Sequence, residues 1–141
     1  MMRKIIVAVL MLCSLRVAAQ EKHTVYVQRS PNKIVPSSES SAAIIADVEQ
    51  GKALLIDVRT PDEYQKEHLK YARNIDIRSA GFADQVKKFS KDKRIYLYCH
   101  SGNRSGKATD SLQTLGYRQS YNIGALDSLA KHGFPVDKKE P

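Results

Sequence analysis

The stretch RIYLYCHSGNRSGKATDSLQTLG, from Arg94 to Gly116, carries the clearest structural signal of the chain. Its apolar start predicts a buried strand that ends at Cys99, and Ser105 is expected to open the helix that follows. The turn between strand and helix places the thiol where backbone amides and the positive end of a helix dipole converge. Such surroundings favour the thiolate, which is the nucleophilic form of cysteine. We therefore interpret residues 99–105 as a catalytic loop.

The start of the chain has the pattern of an export signal. Arg3 and Lys4 precede an apolar run that ends at Leu12, and Ala19 closes a small-residue cleavage motif. The run is shorter than the roughly 20 residues of a membrane-spanning helix. We therefore expect export to the periplasm, cleavage after Ala19, and no stable membrane insertion afterwards. Removal of 19 of the 141 residues leaves 122, which is enough for one domain.

The charge of the chain is mildly basic once the signal is removed. The net charge is +8, and the signal holds three basic and no acidic residues, so +5 remains. The remaining lysines are interspersed with acids, which is typical of a solvated surface. Aromatic residues alternating with arginines, as a nucleic-acid surface would need, are not evident. The composition predicts small anions as partners and no nucleic acid.

Cysteine usage points to a reactive thiol. The chain has two cysteines, and Cys13 lies in the predicted signal. Cys99 would then be the only thiol of the exported protein, which excludes an internal disulfide and an internal resolving cysteine. His23 and His132 have no partners at metal-ligand spacing, so we expect no metal and no other cofactor.

Apolar and turn patterns predict alternating strands and helices. The predicted strands are residues 53–58, 74–77, 95–98 and 117–123. Five helices are predicted. The first begins within the serines of 37–41 and ends at 49, and the second begins at 61. The other three cover residues 82–89, 105–116 and 126–131. This alternation is typical of an α/β domain with a mostly parallel sheet. Ligands of such sheets bind beyond the carboxyl ends of the strands, where Cys99 falls.

Two helix starts carry more specific expectations. In the first helix, Ala43, Ile44 and Val48 should face the core. In the second, Thr60 should cap the helix, and Glu63 should complete a capping box with it.

The predicted organisation has four segments. They are a signal peptide at 1–19, a polar arm at 20–32 that could add an edge strand around 24–28, a folded domain at 33–136, and a charged tail at 137–141.

Three blocks of the sequence resemble the single-domain rhodanese family of thiosulfate sulfurtransferases. They are LLIDVRTPDEYQKEHLKYARNI (54–75), YCHSGNRS (98–105) and LGYRQSYNIGALDSLAKHGFPV (115–136). The last block is most similar to small exported bacterial rhodaneses. The resemblance covers about 35–136 and implies a rhodanese-like three-layer domain with helices flanking the sheet. Departures from the family pattern, at Glu67, Tyr71, Ala125 and Leu129, lie outside the catalytic loop.

The resemblance implies a sulfur-carrying role for Cys99. Its thiolate would attack the outer sulfur of thiosulfate, or of a similar donor, and expel sulfite. The sulfur would remain as a persulfide until cyanide or an external thiol accepts it. Asp57 and Arg59 would brace the loop in this family, although Arg59 could instead form a surface salt bridge.

The remaining loop residues are the candidates for substrate binding. They are His100, Ser101, Gly102, Asn103, Arg104 and Ser105. Gly102 allows the backbone to curl so that loop N–H groups point inward as an anion nest. Arg104 could hold a substrate oxyanion or the thiolate, or it could pair with a carboxylate near the loop. His100 could contact substrate or be solvated, and Ser105 could be a ligand or a helix cap.

Two other functions compete with sulfur transfer. Cysteine-dependent phosphatases and arsenate reductases of related folds place five residues between cysteine and arginine, whereas four separate Cys99 from Arg104. The smaller loop favours one sulfur atom over a tetrahedral oxyanion. A non-catalytic rhodanese-like binding module is the other alternative, but such domains typically lack the cysteine.

Overall fold

The computed structural model describes residues 25–141. The predicted signal peptide, 1–19, and the first residues of the arm lie outside the described residues. Within 25–141, every helix is too short or too polar to cross a membrane.

Helices and strands alternate along the chain. The helices are α1 (Ser38–Glu49), α2 (Pro61–Lys66), α3 (Phe82–Val86), α4 (Asn103–Thr114) and α5 (Leu126–Lys131). The strands are β1 (Ala53–Asp57), β2 (Glu67–Leu69), β3 (Arg73–Asn74), β4 (Arg94–Cys99), β5 (Ser120–Ala125) and β6 (Val136–Lys138). The predicted α/β alternation is confirmed.

The central sheet is parallel and has the strand order β3-β1-β4-β5. Each neighbouring pair runs in the same direction. β2 and β6 form a separate antiparallel pair. Because all four central strands are parallel, their carboxyl ends meet at one edge, and Cys99 at the end of β4 lies on that edge.

Side chains of β4 alternate between two cores. Tyr96 and Tyr98 pack in the core that α1 and α5 cover. Ile95 and Leu97 pack in the core that α3 and α4 cover. Both faces of the sheet are therefore buried under helices, which explains the continuous apolar runs of its strands and confirms the three-layer architecture.

The first helix follows its prediction with one exception. Ser37 caps α1 through a hydrogen bond from the Ser40 N–H, and Ile44 is buried. Ala43 is exposed, so its predicted inward position is wrong. Ser41, one helical turn before Ile44, is buried on the core face instead.

The predicted capping box at α2 is half formed. The Thr60 hydroxyl accepts a hydrogen bond from the Glu63 N–H at 3.3 Å. The other half, a bond from the Thr60 backbone N–H to the Glu63 carboxylate, is not formed; that carboxylate pairs with Arg104 of α4. A charge-assisted, two-point contact with a guanidinium is stronger than one bond to a neutral amide.

Several predicted boundaries differ from the structure. The strand predicted at 74–77 is β3, which covers only Arg73–Asn74. α3 ends at Val86. Residues 87–89 form a turn, and this turn, rather than a longer helix, packs Phe89 against the core. β5 begins at Ser120, because Tyr117 is buried in the preceding turn, where its hydroxyl donates to the carbonyls of Val86 and Phe89. α4 begins at Asn103 rather than at Ser105.

The two ends of the domain also differ from expectation. Residues 25–28 form no strand; the chain instead pairs with β5 just after the arm, at an isolated bridge between Lys33 and Asn122. The predicted tail, 137–141, begins inside β6, which pairs with β2. The charged sequence of β6 concealed this strand, because a short edge strand gains little from apolar burial.

Candidate active site

The sulfur of Cys99 lies where three polar groups meet. Cys99 is the last residue of β4, is fully buried, and faces the start of α4. The Gly102 N–H donates to its Sγ at 3.0 Å, and the Ser105 N–H donates at 3.4 Å. The Ser105 hydroxyl lies 3.4 Å from the same atom. Amides at a helix N-terminus stabilise negative charge, so this geometry suits a thiolate.

The loop conformation requires glycine at position 102. Gly102 has a φ of +88°, in the left-handed region, where it caps α4. A Cβ at this position would lie 3.4 Å from the Cα of Gly124 on β5. The Gly102 carbonyl accepts a hydrogen bond of 3.0 Å from the Asn122 side chain. The inward curl expected from the sequence is therefore held by the hydrogen bond from Asn122 and packed closely against Gly124, both on β5.

Arg104 is engaged by a carboxylate. Its two terminal nitrogens donate to the two oxygens of Glu63, each at 3.0 Å. The hydrogen bond from Arg104 holds the pKa of Glu63 below its usual range. The bond to Glu63, joined by attraction to Cys99, raises the pKa of Arg104. Of the roles open to Arg104, pairing with a carboxylate is the one that this structure contains.

Ser105 lies inside the first turn of α4 and is not its cap. Its side chain is fully buried between β4 and β5. The hydroxyl lies 2.7 Å from Oδ1 of Asn122, closer than it lies to the sulfur. The prediction that Ser105 opens the helix is therefore wrong, while its proximity to Cys99 agrees with a site residue.

Asp57 and Arg59 form a buried ion pair under the loop. Arg59 contacts Asp57 through Nη2 at 2.7 Å, and it also donates to the Glu67 carbonyl at 2.6 Å. Asp57 also accepts a hydrogen bond of 2.8 Å from the hydroxyl of Tyr98. Because Tyr98 directly precedes Cys99, the pair fixes the strand that carries the sulfur. Arg59 is 4% exposed, so a surface salt bridge is excluded.

The other loop residues lie nearer the surface. His100 and Ser101 are exposed, and the Ser101 hydroxyl accepts a long hydrogen bond of 3.5 Å from the Asn103 N–H. The Asn103 Oδ1 is buried without a hydrogen-bond partner. His100 lines a shallow cleft together with Arg59, Glu63, Lys66, Glu67 and Arg104.

No group of three or more His, Cys, Asp or Glu side chains within residues 25–141 is close enough to hold a metal ion.

Sequence reasoning missed three residues of this site. Glu63 was expected to cap its own helix. Tyr98 and Asn122 were expected only as residues of the predicted strands 95–98 and 117–123. Asn122 did leave a signal, since it is a polar side chain between Tyr121 and Ile123 in a predicted strand. A buried amide in such a strand needs hydrogen-bond partners, and here they belong to the loop and to α4.

The comparison with protein families identifies the domain. The family model of the rhodanese-like domain matches residues 40–128, more than half of the 141-residue chain. The chain belongs to the rhodanese-like domain family. This match includes Cys99 and the whole loop around it.

Named relatives support sulfurtransferase activity in general. A thiosulfate sulfurtransferase of Escherichia coli is 35% identical over 75 residues, covering 53% of this chain and 72% of that protein. A sulfurtransferase of Allochromatium vinosum is 32% identical over 100 residues, covering 70% of this chain and 90% of that protein. Among solved structures, a rhodanese with anions from E. coli aligns with a TM-score of 0.53 and 32% identity, covering 62% of this chain and 99% of that one.

Proposed function

We propose that this protein is a thiosulfate sulfurtransferase that carries sulfane sulfur as a persulfide on Cys99. The observation that carries the proposal is the position of Sγ, which receives the N–H groups of Gly102 and Ser105 at the start of α4. These donors stabilise an anionic sulfur both when it attacks and when it leaves. Splitting one transfer into two substitutions is the advantage of a covalent intermediate.

The two substitutions balance without a cofactor. In the first, the Cys99 thiolate attacks the outer sulfur of thiosulfate; a new S–S bond forms, and the electron pair of the old one leaves with sulfite. In the second, cyanide or a thiolate attacks the terminal sulfur of the persulfide. The persulfide bond then breaks, and its electron pair returns to Cys99. The acceptor is external, because no second cysteine follows Ala19 in the chain.

The size of the loop supports sulfur as the cargo. Four residues separate Cys99 from Arg104, one fewer than in the phosphatase-type loops considered above. Two loop N–H groups converge on a single atom, Sγ. A compact set of donors of this kind suits one added sulfur better than a tetrahedral phosphate or arsenate.

Charges around the cleft favour a small anionic donor. The cleft is lined by three basic side chains, two carboxylates and a histidine: Arg59, Lys66, Arg104, Glu63, Glu67 and His100. Of the basic side chains, Arg59 is itself paired with Asp57. Both carboxylates belong to pairs, with Arg104 and with Lys138. A modest positive excess attracts an anion without binding it so tightly that the product cannot leave.

Intact-mass analysis tests the proposal directly. After incubation of the full chain with thiosulfate, we expect the mass of one added sulfur atom, which cyanide or a thiol removes. The Cys99→Ala variant should gain no sulfur, and Cys13→Ala, the matched control, should gain it as the unchanged chain does. Turnover of a phosphate ester without any sulfur transfer would overturn the proposal.

We also propose that the protein acts outside the cytosol, after cleavage behind Ala19. The charged start, apolar run and small-residue motif of residues 1–19 support this. Expression of the full chain in a bacterial host, followed by fractionation and mass analysis, should give a periplasmic form that begins at Gln20. A full-length product confined to the cytosol would contradict it.

A further inference from the structure

A continuous polar network runs from the N-terminal arm to the sulfur of Cys99. The Gln28 Oε1 accepts a hydrogen bond of 3.0 Å from Nδ2 of Asn122. The Asn122 Oδ1 lies 2.7 Å from the Ser105 hydroxyl, which lies 3.4 Å from Sγ. Asn122 is 2% exposed and Ser105 is fully buried, so water does not compete for the bond between them.

Backbone groups fix the orientation of the Asn122 amide. Its Oδ1 accepts from the Gly124 N–H at 3.0 Å, and its Nδ2 donates to the Gly102 carbonyl at 3.0 Å. An N–H can only donate and a carbonyl can only accept, so the amide cannot be turned over. The atom that faces Ser105 is therefore an acceptor, and the short contact needs the hydroxyl proton of Ser105.

The Ser105 hydroxyl thus has one proton and two acceptors within reach. While Cys99 is a thiol, the proton lies toward Asn122, and a lone pair of Oγ faces the S–H group. When the sulfur becomes anionic, a lone pair facing it is repelled, whereas rotation about the C–O bond gives the sulfur a third donor. Asn122 Oδ1 keeps the Gly124 N–H after this rotation, so no buried acceptor is left unpaired.

From this geometry we infer that Asn122 is a positioning residue that competes with the Cys99 thiolate for the Ser105 hydroxyl proton. The inference rests on the nucleophilic role proposed for Cys99, and it assigns to Asn122 control over how readily the thiolate forms. Asn122 acts through Ser105 and does not contact the sulfur itself.

The arm fixes Asn122 from the side opposite the sulfur. The Gln28 Nε2 donates to the carbonyls of Ser30 and Asn32, which directs its Oε1 toward Asn122. Gly106 makes room for this contact, since a Cβ there would lie 3.3 Å from that Oε1. Gln28 lies outside residues 40–128, so this support is additional to the matched rhodanese-like segment.

Charged and titratable groups near the sulfur are untouched by the variants below. On the elements around Cys99 they are Arg104 of α4, Glu63 of α2, Asp57 at the end of β1, Arg59 just after β1, and His100 of the loop. Tyr98 of β4 and Tyr121 of β5 pack in the core on the other face of the sheet. None of these charges changes in the variants. Asn122→Ala also removes the hydrogen bond to the Gly102 carbonyl, and the double variant separates that structural role from competition for the Ser105 hydroxyl proton.

The pH dependence of Cys99 alkylation by iodoacetamide tests the inference. The full chain carries Cys13→Ala throughout, so that one thiol is measured. Ser105→Ala removes the third donor and should raise the midpoint of the profile by about 1 pH unit. Asn122→Ala removes the competing acceptor and should lower the midpoint by about 0.5 pH unit. Ser111→Ala, the same substitution on the outer face of α4, should leave it unchanged.

The double variant separates competition from a merely structural role. In a Ser105→Ala background, Asn122→Ala should no longer move the midpoint, because no proton is left to compete for. A shift that persists there, or a midpoint that rises in Asn122→Ala alone, would overturn the inference. If Asn122→Ala does not fold, Asn122→Asp takes its place. This variant keeps the acceptor and adds a negative charge near the thiolate, so the midpoint of its profile should rise. A lower midpoint would overturn the inference.

Alkylation requires no sulfur donor, so this result is independent of the proposed function. If the midpoints move as expected but thiosulfate adds no sulfur mass, the competition stands and the proposed function fails. If sulfur is transferred but the midpoints do not move, the proposed function stands and the inference fails.

Discussion

Arg104 of α4 and Glu63 of α2 share two hydrogen bonds of 3.0 Å, although 41 positions separate them in the sequence. Both side chains line the cleft that also contains His100 of the loop. The Glu63 carboxylate occupies both terminal nitrogens of Arg104, which would otherwise be free to bind an incoming anion. Glu63 therefore influences both how tightly the loop is held and how strongly a donor is attracted.

Replacing Glu63 by glutamine should strengthen donor binding. The variant frees the fork of Arg104 for the sulfonate oxygens of thiosulfate, so we expect KM for thiosulfate to fall by about two- to fivefold, with kcat changing less. Steady-state kinetics with cyanide as acceptor measure both constants. Asp62→Asn, which removes an exposed charge from the same helical turn, controls for general electrostatics. A KM that rises in Glu63→Gln alone would show that the ion pair itself builds the donor site.

The same pair should make stability depend on pH in the acidic range. Arg104 lowers the pKa of Glu63 from its ordinary value of 4.5. The contribution of the pair is then complete above pH 4.5 and is lost as the pH falls through the lowered pKa. Both side chains are partly exposed, so the effect should be at most about 1 kcal/mol. Urea unfolding should show the unchanged chain and Glu63→Gln converging in stability as the pH falls; a constant difference would contradict this.

Removing the Tyr98 hydroxyl should destabilise the domain. This hydroxyl donates to Asp57 at 2.8 Å and accepts from the Leu69 N–H at 3.0 Å. Tyr98→Phe leaves both groups short of a partner in the core, at a cost of about 1–3 kcal/mol. Denaturant unfolding measures this cost. Tyr96→Phe, in the same strand, loses a long contact of 3.4 Å with Asp47 and an interaction with the half-exposed Arg94, so it should cost less. Equal costs would contradict a bracing role for the Tyr98–Asp57 hydrogen bond.

Substituting Gly102 by alanine should impair sulfur transfer. Its φ of +88° strains any side chain, and Gly124 crowds the new Cβ, so the Gly102 N–H should move away from Sγ. We expect a loss of about tenfold to a hundredfold in the rate of sulfur transfer. Gly133→Ala, at a φ of +102° with open space around it, is the matched control. It should lose about 1–2 kcal/mol of stability through similar strain, but not activity. Equal losses of activity would point to stability alone.

Local patterns predicted the parts of the fold that depend on neighbouring residues. β1 and β4 were expected from their apolar runs, and α5 has the predicted bounds, 126–131. The strand–loop–helix unit around Cys99 and the nest at Gly102 were also expected. Boundaries failed where a distant contact decided them, as at Tyr117, whose hydroxyl binds the end of α3 and so delays the start of β5.

The sequence by itself determined a cysteine at the end of a buried strand, followed by a glycine-containing turn and a helix. These features depend on short-range backbone chemistry, which a few consecutive residues specify. Only the tertiary structure decided which groups surround that thiol. The parallel crossovers bring the ends of β1, β4 and β5 to one edge of the sheet. There Glu63 accepts two hydrogen bonds from Arg104, and Asn122 accepts one from the Ser105 hydroxyl. The spacing of residues along the chain predicts neither contact.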